Sequence, residues 1–268
     1  MNWVNIALFG IAGGIAGTVA YLIVKRPNEK RGAYTMVMLI TWALLSFLLN
    51  EFILPPIANI QNLQKAESAL AKYPVYEAIK EYAPTTYNEL LKEITKGLSN
   101  GLTETQIAIQ AGHYVSLVLQ RFIPSASDEA IRSFLEIMVR SIEELGTQDP
   151  DLCYSYLFHQ DDSKTDVMSH LSEGTKKANM QAIAEIIRTS AEKPQHIPQE
   201  SEVLADLENI YGRLYEVHGE DVLLLDSIPS DYTDRQKICS MVAELYRMIL
   251  QLSPKQSSKV ARFMFSEV

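Results

Sequence analysis

The sequence predicts an all-α protein: a two-helix N-terminal transmembrane hairpin followed by a soluble multi-helix bundle. Three observations predict it. Two long uncharged apolar runs stand at the front of the 268-residue chain. Beyond them the apolar residues recur with the 3.6-residue helical period. No segment shows the alternation with turn dipeptides that a β-hairpin needs. A 47% apolar content with only 21% charged residues excludes a mainly disordered chain, and two cysteines exclude a disulfide-dense scaffold.

Trp3 to Val24 is 22 residues without a charge, long enough as a helix to cross the roughly 30 Å hydrocarbon layer. No basic segment precedes it, which argues against a signal peptide. Tyr34 to Leu54 is clean for 16 residues before Asn50 and Glu51. The expected spans are therefore about 3–24 and 34–54, ended by Pro55-Pro56, which cannot donate helical hydrogen bonds. The loop 25–33 carries Lys25, Arg26, Lys30 and Arg31. Positive loops stay in the cytoplasm, so the N-terminus and residues 56–268 are expected on the opposite face. For a bacterial inner membrane that face is the periplasm. Trp3, Tyr21 and Tyr34 lie where an aromatic belt would fall.

In the first run Gly10 pairs with Gly14, and Gly13 with Gly17, at a spacing of four. Ala12, Ala16 and Ala20 repeat it. Small residues so placed let a second helix approach closely. That helix is the second span or, alternatively, another copy or a membrane partner.

The net charge of −9 conceals a division. Residues 1–55 hold four basic and two acidic residues, which leaves 20 basic and 31 acidic residues in the other 213. An acidic domain argues against nucleic acid as a partner, since phosphate demands a basic face.

Four stripes carry the bundle. They are Ile107, Ala111, Tyr114, Val115, Val118, Leu119 and Phe122; Ile131, Phe134, Leu135, Met138, Val139, Ile142 and Leu145; Val203, Leu204, Leu207, Ile210, Tyr211, Leu214 and Val217; and Ile238, Met241, Val242, Leu245, Met248, Ile249 and Leu252. Shorter helices are expected near 57–72, 75–82, 86–98, 150–159, 164–191 and 255–266. Thr103 with Gln106 reads as a capping box, and Ser125 or Ser127 as a cap before Asp128 and Glu129. Asp149-Pro150 and Ser253-Pro254 each read as cap plus first-turn proline. Gly101, Gly146 and Gly219 are placed to end helices. Val222 to Leu225 is the one stretch too short to assign. The segment 191–201 reads as a loop between helical subbundles.

Cys153 and Cys239 are either a disulfide, favoured by an oxidising compartment, or two buried thiols. His159, Asp161, Asp162, Asp166 and His170 form the densest polar cluster, with donor types that suit a divalent ion but no zinc or calcium spacing. A loop leading into a helix explains them equally. His113 is expected in the core, and His218 at a helix C-terminus. No G-x-S-x-G elbow, Walker loop or H-E-x-x-H is present. Glu200-Ser201 resembles the catalytic pair of helical lytic transglycosylases, but their downstream Gly/Met/Gln motif is absent and a helix start accounts for it. Eleven of 13 tyrosines lie in the acidic part, including Tyr73, Tyr76, Tyr82 and Tyr87, either as core edges or lining a groove.

The expected function is that of a membrane-anchored, non-enzymatic interaction or scaffolding protein of the bacterial envelope. It would meet lipid and another envelope protein or its own copy, and needs no cofactor. The alternatives are a periplasmic hydrolase or lyase working through carboxylates, and a ligand-binding sensor coupled to a membrane partner.

Overall fold

A computed structural model describes residues 16, 31–49, 51, 54–158, 165–225 and 234–266. Among these residues there are eleven α-helices joined by turns, four of them 3-10 helices, and no strand. The chain divides into two compact units, Met1–Lys65 and Ala66–Val268.

In the first unit, α1 runs Arg31–Leu48 and α2 begins at Leu54. Of the rest of the second apolar run, residues 49 and 51 are helical and residues 50, 52 and 53 lie outside the described residues. Pro55 and Pro56 stand in the first turn of α2 (Leu54–Leu70), where amides have no helical acceptor to lose. Among the described residues no helix is long and apolar enough to cross a membrane. The expected span 3–24 lies outside the described residues except for Ala16, which is helical and buried. Gly10, Gly13, Gly14 and Gly17 lie outside them too.

The second unit is α3 (Pro74–Tyr82), α4 (Pro84–Ser99), α5 (Glu104–Phe122), α6 (Asp128–Gln148), α7 (Pro150–Phe158), α8 (Glu173–Glu192), α9 (Leu204–His218), α10 (Arg235–Gln251) and α11 (Pro254–Ser266). Helix α6 is central and packs against α7, α8, α10 and α11. Its N-terminal half puts Ile131, Phe134, Leu135 and Ile137 into the main core, and its C-terminal half puts Ile142 and Leu145 into a second one. Helix α10 does the same, with Leu245, Met248 and Ile249 in the main core and Ile238, Met241 and Val242 in the other.

The caps follow the sequence signals. The Thr103 hydroxyl accepts from the Gln106 amide at 3.3 Å while Gln106 Oε1 accepts from the Thr103 amide at 2.9 Å. Ser127, not Ser125, caps α6. Asp149 Oδ1 accepts from the Asp151 amide, and Ser253 Oγ from the Gln256 amide. Gly101 and Gly219 adopt φ of +74° and +60°, the left-handed region where a side chain is strained. Gly146 instead stays inside α6, where its missing side chain leaves room beside Cys153.

Val222–Leu225, left unassigned by the sequence, belongs to a 3-10 helix, Gly219–Leu225, and further expectations change. The 191–201 segment does not separate two bundles: Ile187 before it and Ile210 after it share the main core. His113 is exposed, edge-on to Tyr114 at 6.0 Å, because the buried face of α5 runs through Ala111, Val118 and Phe122. Leu204 and Val217 are likewise exposed while Ile210 and Leu214 take the core face of α9.

Two long-range links close the unit. Cys153 of α7 and Cys239 of α10 are disulfide-bonded, and both are buried. Arg262 of α11, also buried, donates from Nε and Nη2 to the Ala126 carbonyl at 3.1 and 2.9 Å and pairs with Asp128. This seats Phe263, Met264 and Phe265 against the main core.

The disulfide closes a loop of 86 residues. Loop-closure entropy for that length implies that Cys153→Ala with Cys239→Ala lowers unfolding free energy by about 4–5 kcal/mol. Urea denaturation measures this, and an unchanged midpoint would contradict it. Leu135→Ala, at a fully buried site, is expected to cost about 2–5 kcal/mol in the same assay.

Candidate functional site

A recess in the second unit forms where the chain leaves α2. Pro74 follows Tyr73 and Pro84 follows Ala83, and each proline occupies the first turn of a new helix. Proline disfavours helical geometry at the preceding residue, so two short breaks fold α3 back and pack it against α4. The inner faces bury Val75, Ala78 and Ile79 of α3 with Tyr87, Leu90 and Leu91 of α4. What remains open is a cleft of about 310 Å³ lined by Glu67, Ser68, Ala71, Tyr76, Glu77, Lys80 and Tyr87.

Its walls are aromatic and its rim is charged. Tyr73 and Tyr76 meet edge to face at 6.2 Å. Lys80 Nζ stands 5.5 Å from the centroid of the Tyr87 ring, within cation–π range. Burial pushes the Tyr76 phenol up to about 12, helped by Tyr73 and by the negative charge of Asp166. Burial and then the Glu67 carboxylate raise Tyr87 in the same way. Both rings therefore stay neutral across the physiological range.

The expected polar cluster is only partly visible. His159, Asp161 and Asp162 lie outside the described residues. Asp166 accepts the Ser169 hydroxyl on its backbone carbonyl at 2.6 Å, and its charge reaches Tyr76. His170 is exposed, and its carbonyl accepts from Gln148 Nε2 at 3.0 Å. Among the described residues no group of three His, Cys, Asp or Glu side chains could hold a metal ion.

Other singled-out residues have structural partners. Cys153 and Cys239 are consumed by their bond. Glu200 and Ser201 are exposed on a 3-10 turn. Their neighbour Glu202 accepts from the Gln199 amide, His196 and Lys259, and these in that order hold its carboxyl down at about 2. His218 pairs with Glu244 at 2.8 Å, tying the end of α9 to α10. Asn179 donates to Tyr156 Oη at 2.9 Å and to Ser141 Oγ at 3.3 Å, a buried polar link between α6, α7 and α8.

Of the cleft residues, Tyr76 and Tyr87 were legible as either core edges or a groove lining, and Tyr87 is both. Glu67, Ser68, Glu77 and Lys80 were not, because each reads as an ordinary solvated helix position. The available signal was the spacing of Tyr76 and Lys80, four apart on one face and bracketed by Pro74 and Pro84.

Comparison with known proteins gives no match, whether to a family model, a curated protein or a solved structure.

The Tyr76 phenol carries a pH signature. Its folded pKa lies above the ordinary 10.0, so protonation favours the folded state; the contribution is complete below pH 10 and lost as pH rises toward 12. Tyr76→Phe is expected to remove one late-titrating phenol from the tyrosinate absorbance curve and to flatten the loss of stability over that window. A variant curve identical to the parent's would contradict this assignment.

Proposed function

We propose that this chain is a membrane-anchored interaction protein of the bacterial envelope, non-enzymatic, with its acidic helical unit on the outer face. One observation carries the reading. Helix α1 exposes Met36, Leu39, Ile40, Trp42, Leu44, Phe47 and Leu48, and no residue from Thr35 to Leu49 is buried. These positions surround the helix instead of forming one stripe. A helix apolar on every side has no stable place in water, so its surroundings are hydrocarbon or other apolar helices.

The sequence supplies the rest of the support. The uncharged run from Trp3 to Val24 and the run beginning at Tyr34 flank the basic loop 25–33. Together they read as a hairpin whose loop stays in the cytoplasm, so that residues 56–268 emerge on the other side. The acidic excess of that part keeps it off anionic lipid. A disulfide between Cys153 and Cys239 suits an oxidising compartment.

Fusing reporters after Val268 tests the arrangement. An alkaline phosphatase fusion is expected to be active, and a reporter that matures only in the cytoplasm inactive. The opposite pattern would overturn the orientation, and recovery of both fusions in the wash of stripped membranes would overturn the anchor.

A further inference from the structure

We propose that α7 is a flap held over the smaller core by the Cys153–Cys239 bond. Reduction by a dithiol releases α7, and the rest of the second unit stays folded. The inference concerns the second unit alone and does not depend on the membrane reading.

What α7 buries is the first argument. Of its nine residues only Cys153 and Tyr154 are buried, and one of these two is half of the cystine. The facing helix α10 buries eight residues, so α7 is the side that moves once the bond is gone. Among the described residues the main core takes no side chain from α7. Ile131, Leu135 and Ile249 therefore keep their surroundings when α7 leaves, whereas Ile142, Leu145 and Ile238 of the smaller core lose part of their cover.

The second argument is the joint. Asp149 is extended, with φ −161° and ψ 124°, and Pro150 opens α7 without an amide to donate. Helices α6 and α7 therefore meet at a hinge, and α7 turns about it without unwinding α6. The polar ties across the flap are weak. Arg235 pairs with Asp151 at 2.9 Å, but these side chains are 33% and 67% exposed, so water screens the pair. The same guanidinium stands 4.9 Å from the centroid of the Tyr154 ring. Tyr156 Oη accepts from Asn179 at 2.9 Å.

The release is an ordinary thiol–disulfide exchange. One thiolate of the dithiol attacks a cystine sulfur and forms a mixed disulfide as the Sγ–Sγ bond breaks, and the departing cysteine thiolate takes up a proton. The second thiol of the reductant gives up its proton and displaces the other cysteine, which is protonated in turn. The reductant ends as a disulfide, and Cys153 and Cys239 end as thiols. In the closed form these residues are 0% and 2% exposed, so attack follows fraying of α7, and the flap stays shut where dithiols are scarce.

The full chain in detergent micelles is compared before and after dithiothreitol, with alkylation and intact mass counting the free thiols. Hydrogen exchange read by mass spectrometry is expected to speed up about tenfold or more over 150–158 on reduction. Over α8 and over 128–137 of α6 it is expected to change by less than about twofold. Arg235→Ala removes the ion pair and the ring contact together. It is expected to speed exchange over 150–158 a further threefold, roughly, in the reduced chain. In the oxidised chain, where the bond holds the flap, it is expected to stay within about twofold of the parent. Arg247, also on α10, pairs with Glu143, and Arg247→Ala is expected to leave 150–158 unchanged in both states. A bond that dithiothreitol leaves intact would overturn the proposal, as would unchanged exchange over 150–158 in the reduced chain. Equal acceleration over α8 and 128–137 would overturn it too, since the whole unit then opens. So would an Arg235→Ala effect of the same size in both redox states. Should Arg235→Ala fail to fold, the parent chain in its two redox states decides.

Discussion

Helix α6 must be buried on several faces at once, and the second unit is arranged around that requirement. Ile131, Leu135 and Leu145 are fully buried, and Phe134, Ile137, Val139 and Ile142 nearly so. These positions are spread too widely to be covered by one neighbour, so α7, α8, α10 and α11 all pack against it. A helix covered in this way leaves few places for buried polar groups, and the one it buries, Ser141, has partners. Ser141 donates back to the Ile137 carbonyl and accepts from Asn179. Its N-terminus uses the Ser127 side chain and the Arg262–Asp128 pair. There burial opposes ionisation of Asp128, but hydrogen bonds from Ser258 and Arg262 outweigh it and hold the carboxyl below its ordinary range.

The two cores depend on α6 and α10 together. Each helix contributes one half to each core, so neither core can loosen without displacing the same pair of helices. The disulfide reinforces the smaller core, where α7 has only nine residues to bury. The Arg262–Asp128 pair joins a buried guanidinium to a half-exposed carboxylate and contributes less to net stability than to registration, because desolvation of Arg262 offsets much of the attraction. Here the pair sets where the last helix lies against the first turn of α6. Helix α3 packs on α8, burying Val75, Ala78 and Ile79, and the Tyr82 hydroxyl adds a bond to Glu192 at 2.6 Å.

Helical content was legible because burial on one side of a helix imposes the 3.6 period. The stripes of α5, α6 and α10 and the caps at Thr103, Ser127, Asp149 and Ser253 are local signals that the fold uses directly. Local signals mislead where a distant neighbour decides. Gly146 reads as a terminator, yet α6 continues past it beside Cys153. His113 reads as a core residue, yet the core face of α5 lies elsewhere. Leu204 and Val217 match a stripe of which Val203, Ile210 and Leu214 are the buried part. The cleft is a further case, since Glu67, Glu77 and Tyr87 come from three helices and no single periodicity links them.

The opening contrast between an apolar front and an acidic remainder follows from the sequence by itself, as do the helices and their caps. Hydrophobicity, charge and capping act within a few residues, so they can be read along the chain. Only the tertiary structure decided that Cys153 lies against Cys239, that Arg262 reaches back to Ala126 and Asp128, and that Tyr76, Tyr87, Glu67 and Glu77 share one recess. Each of these contacts joins residues on different helices. Their meeting depends on how the amphipathic faces pack around α6, which no local pattern specifies.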